Sequence, residues 1–203
     1  MIKEFKINFS EGSDVFCKLK LEFPFTSQEI IEALDNEKDW IQDKSTAHRT
    51  RLYHPTNPKL KEIIKYFSSD ELHIKLCEQA YNYFPEIKTR WGLDIERLKN
   101  ISSVHGEFNK DLPGWRQAIH MDIKHYICTG FVYLIEDDDE QLSSFFYSDI
   151  NGNDPIRAET NFGSGWFHVN DLKSWHGGHN ITKNKTRYTI LFPLLIKSLK
   201  RHF

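Results

Sequence analysis

The stretch Trp115 to Ile123, WRQAIHMDI, decides how the second half of this 203-residue chain reads. It has the character of a short strand, and side chains two apart on a strand share a face. His120 and Asp122 are therefore expected to aim an imidazole and a carboxylate at one point. Five further β-like runs surround it: ISSVHGEF (101–108), ICTGFVYLI (127–135), LSSFFYSD (142–149), SGWFHVN (164–170) and TRYTILF (186–192). Turn-forming sequences separate them, among them LPG, EDDDE, NGNDP and NFGSG. Six short strands in about a hundred residues are the pattern of a sandwich, jelly roll or small barrel.

The chain before Leu98 reads differently. Residues 1–25 alternate apolar and polar around EGSD, which predicts a two-stranded hairpin. Thr26-Ser27 ahead of QEIIEAL is a helix start with a capping residue. Residues 45–60, STAHRTRLYHPTNPKL, are rich in Thr, Pro and basic residues and read as a surface loop, one that could close as a lid. Helices are expected over Lys59–Phe67 and Asp70–Phe84, the second stopped by Pro85. With no internal repeat or low-complexity linker, residues 1–203 are expected to form one domain. Within it, 1–98 would supply strand and helix support and 99–197 the core that holds the site.

Composition narrows the classes. Hydrophobic residues are 39% and charged residues 28%, which excludes a disordered or collagen-like chain. A formal net charge of −2 predicts no long-range attraction to nucleic acid or an anionic membrane. Cys17, Cys77 and Cys128 are far apart and lack CxxC spacing, so neither a disulfide framework nor a thiolate zinc site is suggested. MIKEFKINFS lacks the apolar core of a signal peptide, and the longest apolar run, Tyr188–Ile196, is too short to span a membrane. A cytoplasmic location is the default expectation.

Three features carry chemistry: His120-Met121-Asp122, then Trp175-His176-Gly177-Gly178-His179, then Arg187-Tyr188-Thr189. Two imidazoles and a carboxylate on one face of a metal leave three positions open, the arrangement of non-haem Fe(II) oxygenases. A buried Arg suits the distal carboxylate of a dicarboxylic acid through a planar, two-point contact. Spacing alone proves little, since 10 His and 14 Asp give roughly 0.7 His-x-Asp matches by chance. His105-Gly106-Glu107 is a rival of the same spacing, and Arg187 could simply pair with a carboxylate inside the sheet. His168, between aromatics, reads as a packed or surface histidine. Asp137-Asp138-Asp139-Glu140 reads as a solvated hairpin tip.

The order of these features, over roughly Leu112 to Phe192, resembles the 2-oxoglutarate and Fe(II)-dependent dioxygenase superfamily. That resemblance implies an α+β fold: a double-stranded β-helix, or jelly roll, with N-terminal strands and helices supporting one sheet. It implies His120, Asp122 and His176 as iron ligands, with His179 the less favoured distal alternative. Arg187 would bind the far carboxylate of 2-oxoglutarate, with Thr189 and Tyr133 as further donors. Fe(II), 2-oxoglutarate and dioxygen would together hydroxylate a small metabolite or a peptidyl side chain. The chain departs from many members at Gln141-Leu142-Ser143-Ser144, where they have a Gly-Gly turn. Nucleic-acid demethylases of the superfamily carry a second Arg soon after the first, and YTILFPLLIK follows Arg187 here. The rivals are a cupin-like metalloenzyme that does not use 2-oxoglutarate and a silent jelly roll that only binds.

Overall fold

Buried Cys17, Leu19 and Leu21 alternate with exposed Lys18, Lys20 and Glu22, so the expected hairpin forms as β1 (Lys6–Ser13) and β2 (Phe16–Glu22). The computed structural model describes residues 4–44, 46–122, 126–171, 173–182 and 184–197; the hairpin's first three positions and Ile123 fall outside them. Thr26 and Glu29 then close a reciprocal capping box at α1 (Ser27–Asp35). Two short strands follow, β3 (Ile41–Gln42) and β4 (Arg49–Leu52). Asn57 caps α2 (Pro58–Phe67), with Pro58 at the first helical position, where its missing N–H costs nothing. Ser69 caps α3 (Asp70–Tyr83), which ends ahead of Pro85, and α4 (Glu86–Thr89) and α5 (Ile95–Ile101) complete the helical half.

The remainder is strand: β5 (Ser102–Val104), β6 (Glu107–Asp111), β7 (Gln117–His120), β8 (Tyr126–Tyr133), β9 (Ser144–Tyr147), β10 (Ile156–Arg157), β11 (Ser164–Val169), β12 (Trp175–Gly178) and β13 (Arg187–Ile196). They form two sheets. The larger runs β1-β2-β11-β8-β13-β6-β4-β3, with β5 beside the far end of β13; the smaller runs β10-β9-β12-β7. Every pairing among the described residues is antiparallel. The chain is thus mixed α and β, dominated by two antiparallel sheets.

Strands β8, β11 and β13 are buried on both faces, and the period-two rule says why. Outward-facing Phe192 packs on Phe67 of α2 at 4.9 Å between ring centroids, and Phe167 packs on Phe84 at 6.1 Å. Inward-facing Trp166 meets Phe146 of the smaller sheet edge-on at 5.2 Å, and Phe16 stacks on Phe146 at 4.1 Å. Each such ring contributes about 1.5–3 kcal/mol by leaving water. Gly165 is needed for the close approach of β11 to β8, because a Cβ there would sit 1.9 Å from the Phe131 carbonyl oxygen.

The structure corrects five expectations. Residues 45–60 are not a continuous surface loop: Arg49–Leu52 is an internal strand and helix α2 begins at Pro58. The loop that remains is fastened by buried Glu37, which accepts from the backbone amides of Thr56 (2.8 Å) and Asn57 (2.6 Å). ISSVHGEF is broken into β5 and β6, and at the break a Cβ on Gly106 would meet the Phe67 Cβ at 2.6 Å. Trp175–Gly178 is a strand in its own right. Finally, β7 ends at His120, so Asp122 is carried by the segment just beyond it. Asp137 to Asp139 are also less solvated than a free hairpin tip: Lys185 bridges Asp137 and Asp139, and Arg157 holds Asp138. No helix among the described residues is long and apolar enough to cross a membrane.

Candidate metal centre and the buried ionic row beside it

The smaller sheet supplies two imidazoles at one level, since His176 of β12 is the cross-strand partner of His120 of β7. Their rings lie 4.4 Å apart. Each Nδ1 faces a backbone carbonyl two residues back, Ala118 at 2.9 Å for His120 and Ser174 at 3.0 Å for His176. A carbonyl can only accept, so each Nδ1 carries the proton and each Nε2 presents a lone pair. Both Nε2 atoms lie 3.7 Å from Asp122 Oδ1. One ligand atom from each of His120, Asp122 and His176 falls within 4.8 Å of the other two. Burial drives the His176 pKa down to about 3 and keeps that ring neutral. His120, more open to solvent, is also lowered by burial, but the neighbouring Asp122 carboxylate and the Ala118 carbonyl carry it above its ordinary value. Burial alone would raise Asp122, yet the neighbouring His120 and the contact with His168 hold it well below the usual carboxylate range.

The larger sheet fixes the other side of the carboxylate. Asp122 Oδ2 accepts from Thr129 Oγ1 at 2.5 Å and lies 3.1 Å from His168 Nε2. Thr129 on β8 and His168 on β11 are themselves register partners, so two adjacent strands hold one oxygen while the other faces the imidazoles. The sequence read His168 as a packed or surface histidine; its signal was a polar ring in the otherwise apolar run SGWFHVN. Thr129 gave a similar signal within ICTGFVYLI. Contacts of this kind orient a ligand and typically carry about 10–100-fold in metal affinity. His168→Asn should therefore weaken Mn(II) binding by about 10–100-fold. Equal Mn(II) affinity in calorimetry would remove this role from His168.

His179 is not part of the cluster. It is 46% exposed on its side chain, stacks on Phe145 at 4.3 Å and lies 4.0 Å from Glu140. The glycines after His176 serve neighbours rather than a metal: a Cβ on Gly178 would meet the Trp115 ring at 3.0 Å, and one on Gly177 the Gln117 carbonyl at 3.1 Å. Of the rival pair, Glu107 is committed to an ion pair with Arg51. Gln117 Nε2 lies 3.1 Å from His120 Nε2, at the solvent side of the centre.

Along the inner face of the larger sheet a second cluster is built by register. Arg49 of β4, Asp111 of β6 and Arg187 of β13 lie side by side across three strands. Arg49 holds Asp111 at two points, 2.5 Å and 3.0 Å. Arg187 Nε donates to Asp111 Oδ2 at 2.9 Å, and its Nη1 donates to the Leu142 carbonyl at 2.9 Å. Both guanidinium groups lie over the Trp115 ring, at 4.5 Å and 4.2 Å. Burial opposes ionisation of Asp111, but the charges of Arg49 and Arg187 keep its pKa lowered.

Four fully buried polar atoms in these rows have no hydrogen-bond partner: Arg187 Nη2, Thr189 Oγ1 and both amide atoms of Asn109. Arg187 Nη2 is 2.8 Å from Asp111 Oδ2, an ionic contact whose alignment makes no hydrogen bond, so its N–H groups stay free. Asn109 and Thr189 are register partners one step along from Asp111 and Arg187. Buried groups of this kind are costly unless something pairs with them. Tyr133, the other register partner of Thr189, is committed elsewhere. Its hydroxyl donates to Ser144 Oγ at 2.9 Å and accepts from the Ser144 amide at 2.8 Å. Its one proton is thus used to tie the sheets together.

The chain shares its fold with solved 2-oxoglutarate and Fe(II)-dependent oxygenases. A prolyl hydroxylase from Trichoplax adhaerens, in complex with a hypoxia inducible factor peptide, is similar with a TM-score of 0.61 and 15% identity over 92% of this chain and 86% of that one. A prolyl-4-hydroxylase from Pseudomonas putida gives 0.56 and 11% over 84% and 85%. HygX from Streptomyces hygroscopicus, with nickel and 2-oxoglutarate bound, gives 0.56 and 10% over 91% and 84%. No family model and no curated protein matches the sequence.

Proposed function

We propose that this chain is a non-haem Fe(II) oxygenase that couples oxidative decarboxylation of 2-oxoglutarate to hydroxylation of an organic substrate, and that its two sheets form a double-stranded β-helix. The observation that carries the reading is the convergence of two imidazole lone pairs and one carboxylate oxygen within 4.8 Å. The donor set suits Fe(II): two imidazoles and a carboxylate leave a face open. Bound there with 2-oxoglutarate and dioxygen, the ion supplies the oxidation that yields succinate, CO₂ and the hydroxylated product.

The protein's share is positioning. Carbonyls of Ala118 and Ser174 orient the imidazoles, and Thr129 with His168 orients the carboxylate. The unpartnered donors Arg187 Nη2, Thr189 Oγ1 and Asn109 Nδ2 fit a distal carboxylate, with Asn109 taking the place expected of Tyr133. Phe131, Phe146 and Trp166 wall the space between the sheets and exclude water. The substrate class stays within small metabolites and peptidyl side chains, the T. adhaerens neighbour holding a peptide.

One observation favours a second reading. Arg187 already touches Asp111, as it would in a metalloenzyme of the same triad that does not use 2-oxoglutarate. Anaerobic titration with Fe(II) and 2-oxoglutarate separates the two. A weak visible charge-transfer band that needs both components is the expected result. Metal binding without such a band would move the assignment to the second reading, and no metal binding would leave only the fold.

A further inference from the structure

A lone arginine–aspartate pair is neutral and offers little to an arriving carboxylate. Here Asp111 is shared between two guanidinium groups, so the row Arg49–Asp111–Arg187 carries one net positive charge in a fully enclosed place. The next cation along these strands, Arg51, is balanced by Asp43 and Glu107 and adds no positive charge to the row. From this we propose that Arg49 and Asp111 are positioning residues for the co-substrate anchor. Asp111 fixes the Nε edge of Arg187, and Arg49 cancels the charge of Asp111 so that Arg187 keeps its attraction for a distal carboxylate. The inference rests on the proposed function and deepens it.

Three features support a positioning role over simple packing. Asp111 takes the Nε side of Arg187, and the Leu142 carbonyl takes Nη1. That leaves Nη2 as the end with free N–H groups, beside Thr189 and Asn109, whose polar atoms are likewise unpartnered. Both guanidinium groups also pack against the Trp115 ring. Finally, Arg49 comes from β4, outside residues 99–197, and reaches Asp111 as its register partner across the sheet. Two guanidinium groups and two carboxylates, one from the protein and one from the ligand, would close the row at zero net charge, the condition a buried ionic group needs.

The test is a double-substitution cycle on the full chain, read as 2-oxoglutarate affinity with Mn(II) or anaerobic Fe(II). Arg49→Met should weaken 2-oxoglutarate binding by about 10- to 100-fold, because Asp111 is then balanced by Arg187 alone and repels the incoming carboxylate. Asp111→Asn added to Arg49→Met should recover most of that loss. 2-Oxopentanoate, which lacks the distal carboxylate, should bind the wild type and Arg49→Met alike. Unchanged 2-oxoglutarate affinity in Arg49→Met, no recovery in the double variant, or equal losses for both oxo acids would each overturn the proposal. Should Arg49→Met fail to fold, Arg49→Lys retains the charge, and a large loss of 2-oxoglutarate affinity there would count equally against it. A wild-type chain that binds metal but not 2-oxoglutarate would overturn the proposed function first, and this inference with it.

Discussion

Asp122→Ala is expected to abolish 2-oxoglutarate turnover and to weaken Mn(II) binding beyond the about 100-fold that an outer contact can carry. The carboxylate is the only anionic ligand in the cluster, and its Oδ1 is the atom facing both imidazoles. Its loss also strands His168 Nε2 and Thr129 Oγ1, both directed at Oδ2. Leaving buried groups unpaired costs about 1–3 kcal/mol, so the variant should melt at a lower temperature even without metal. Succinate release and Mn(II)-dependent thermal shift read the two effects separately. Asp122→Asn removes the charge while keeping the contacts to Thr129 and His168 in outline. It should restore most of the melting temperature but little of the metal binding. If either variant kept wild-type Mn(II) affinity, the cluster would not be a metal centre.

The sequence and the structure meet most closely where chemistry and periodicity agree. His120, Asp122 and His176 were picked out by the order of His-x-Asp, a distal histidine and an Arg and by the resemblance that order carries, and one ligand atom of each lies within 4.8 Å of the others. The hairpin at β1 and β2 and helices α1 to α3 were legible from alternation, caps and Pro85. What was hidden depends on which side of a strand faces inward. Arg49 and Arg51 look like solvated loop residues among Thr and Pro, yet they point into the sheet because Asp111 and Glu107 stand opposite them. Nothing local to residues 45–60 announces those partners, which lie about sixty positions away in sequence. The strand β12 was obscured by two glycines, whose purpose, to admit Trp115 and the backbone of β7, is visible only once the elements pack. Tyr133 was assigned from a strand position, and its hydroxyl turned out to face Ser144 across the two sheets. Long-range polar pairing, rather than local propensity, accounts for each of these differences.

Arg187→Met should separate the two halves of the proposed site. The metal centre is built from β7, β12 and the segment after β7, and none of its hydrogen bonds involves Arg187. Mn(II) affinity should therefore stay near that of the wild type, while 2-oxoglutarate affinity falls by about 100-fold or more, the scale for removing one partner of a desolvated charge pair. The fold has a safeguard that most buried ion pairs lack. Asp111 keeps its two-point contact with Arg49 when Arg187 is replaced, and the Met side chain can still cover Trp115. The lost bond to the Leu142 carbonyl leaves one acceptor unpaired, so some stability is still given up. Arg187→Lys supplies the control, because an ammonium keeps the charge but cannot present separate edges to Asp111, Leu142 and a carboxylate. It should fold close to normally and recover only part of the 2-oxoglutarate affinity. Were both variants to bind 2-oxoglutarate as the wild type does, Arg187 would be an internal counter-ion for Asp111. The unpartnered atoms of Thr189 and Asn109 would then need a different ligand.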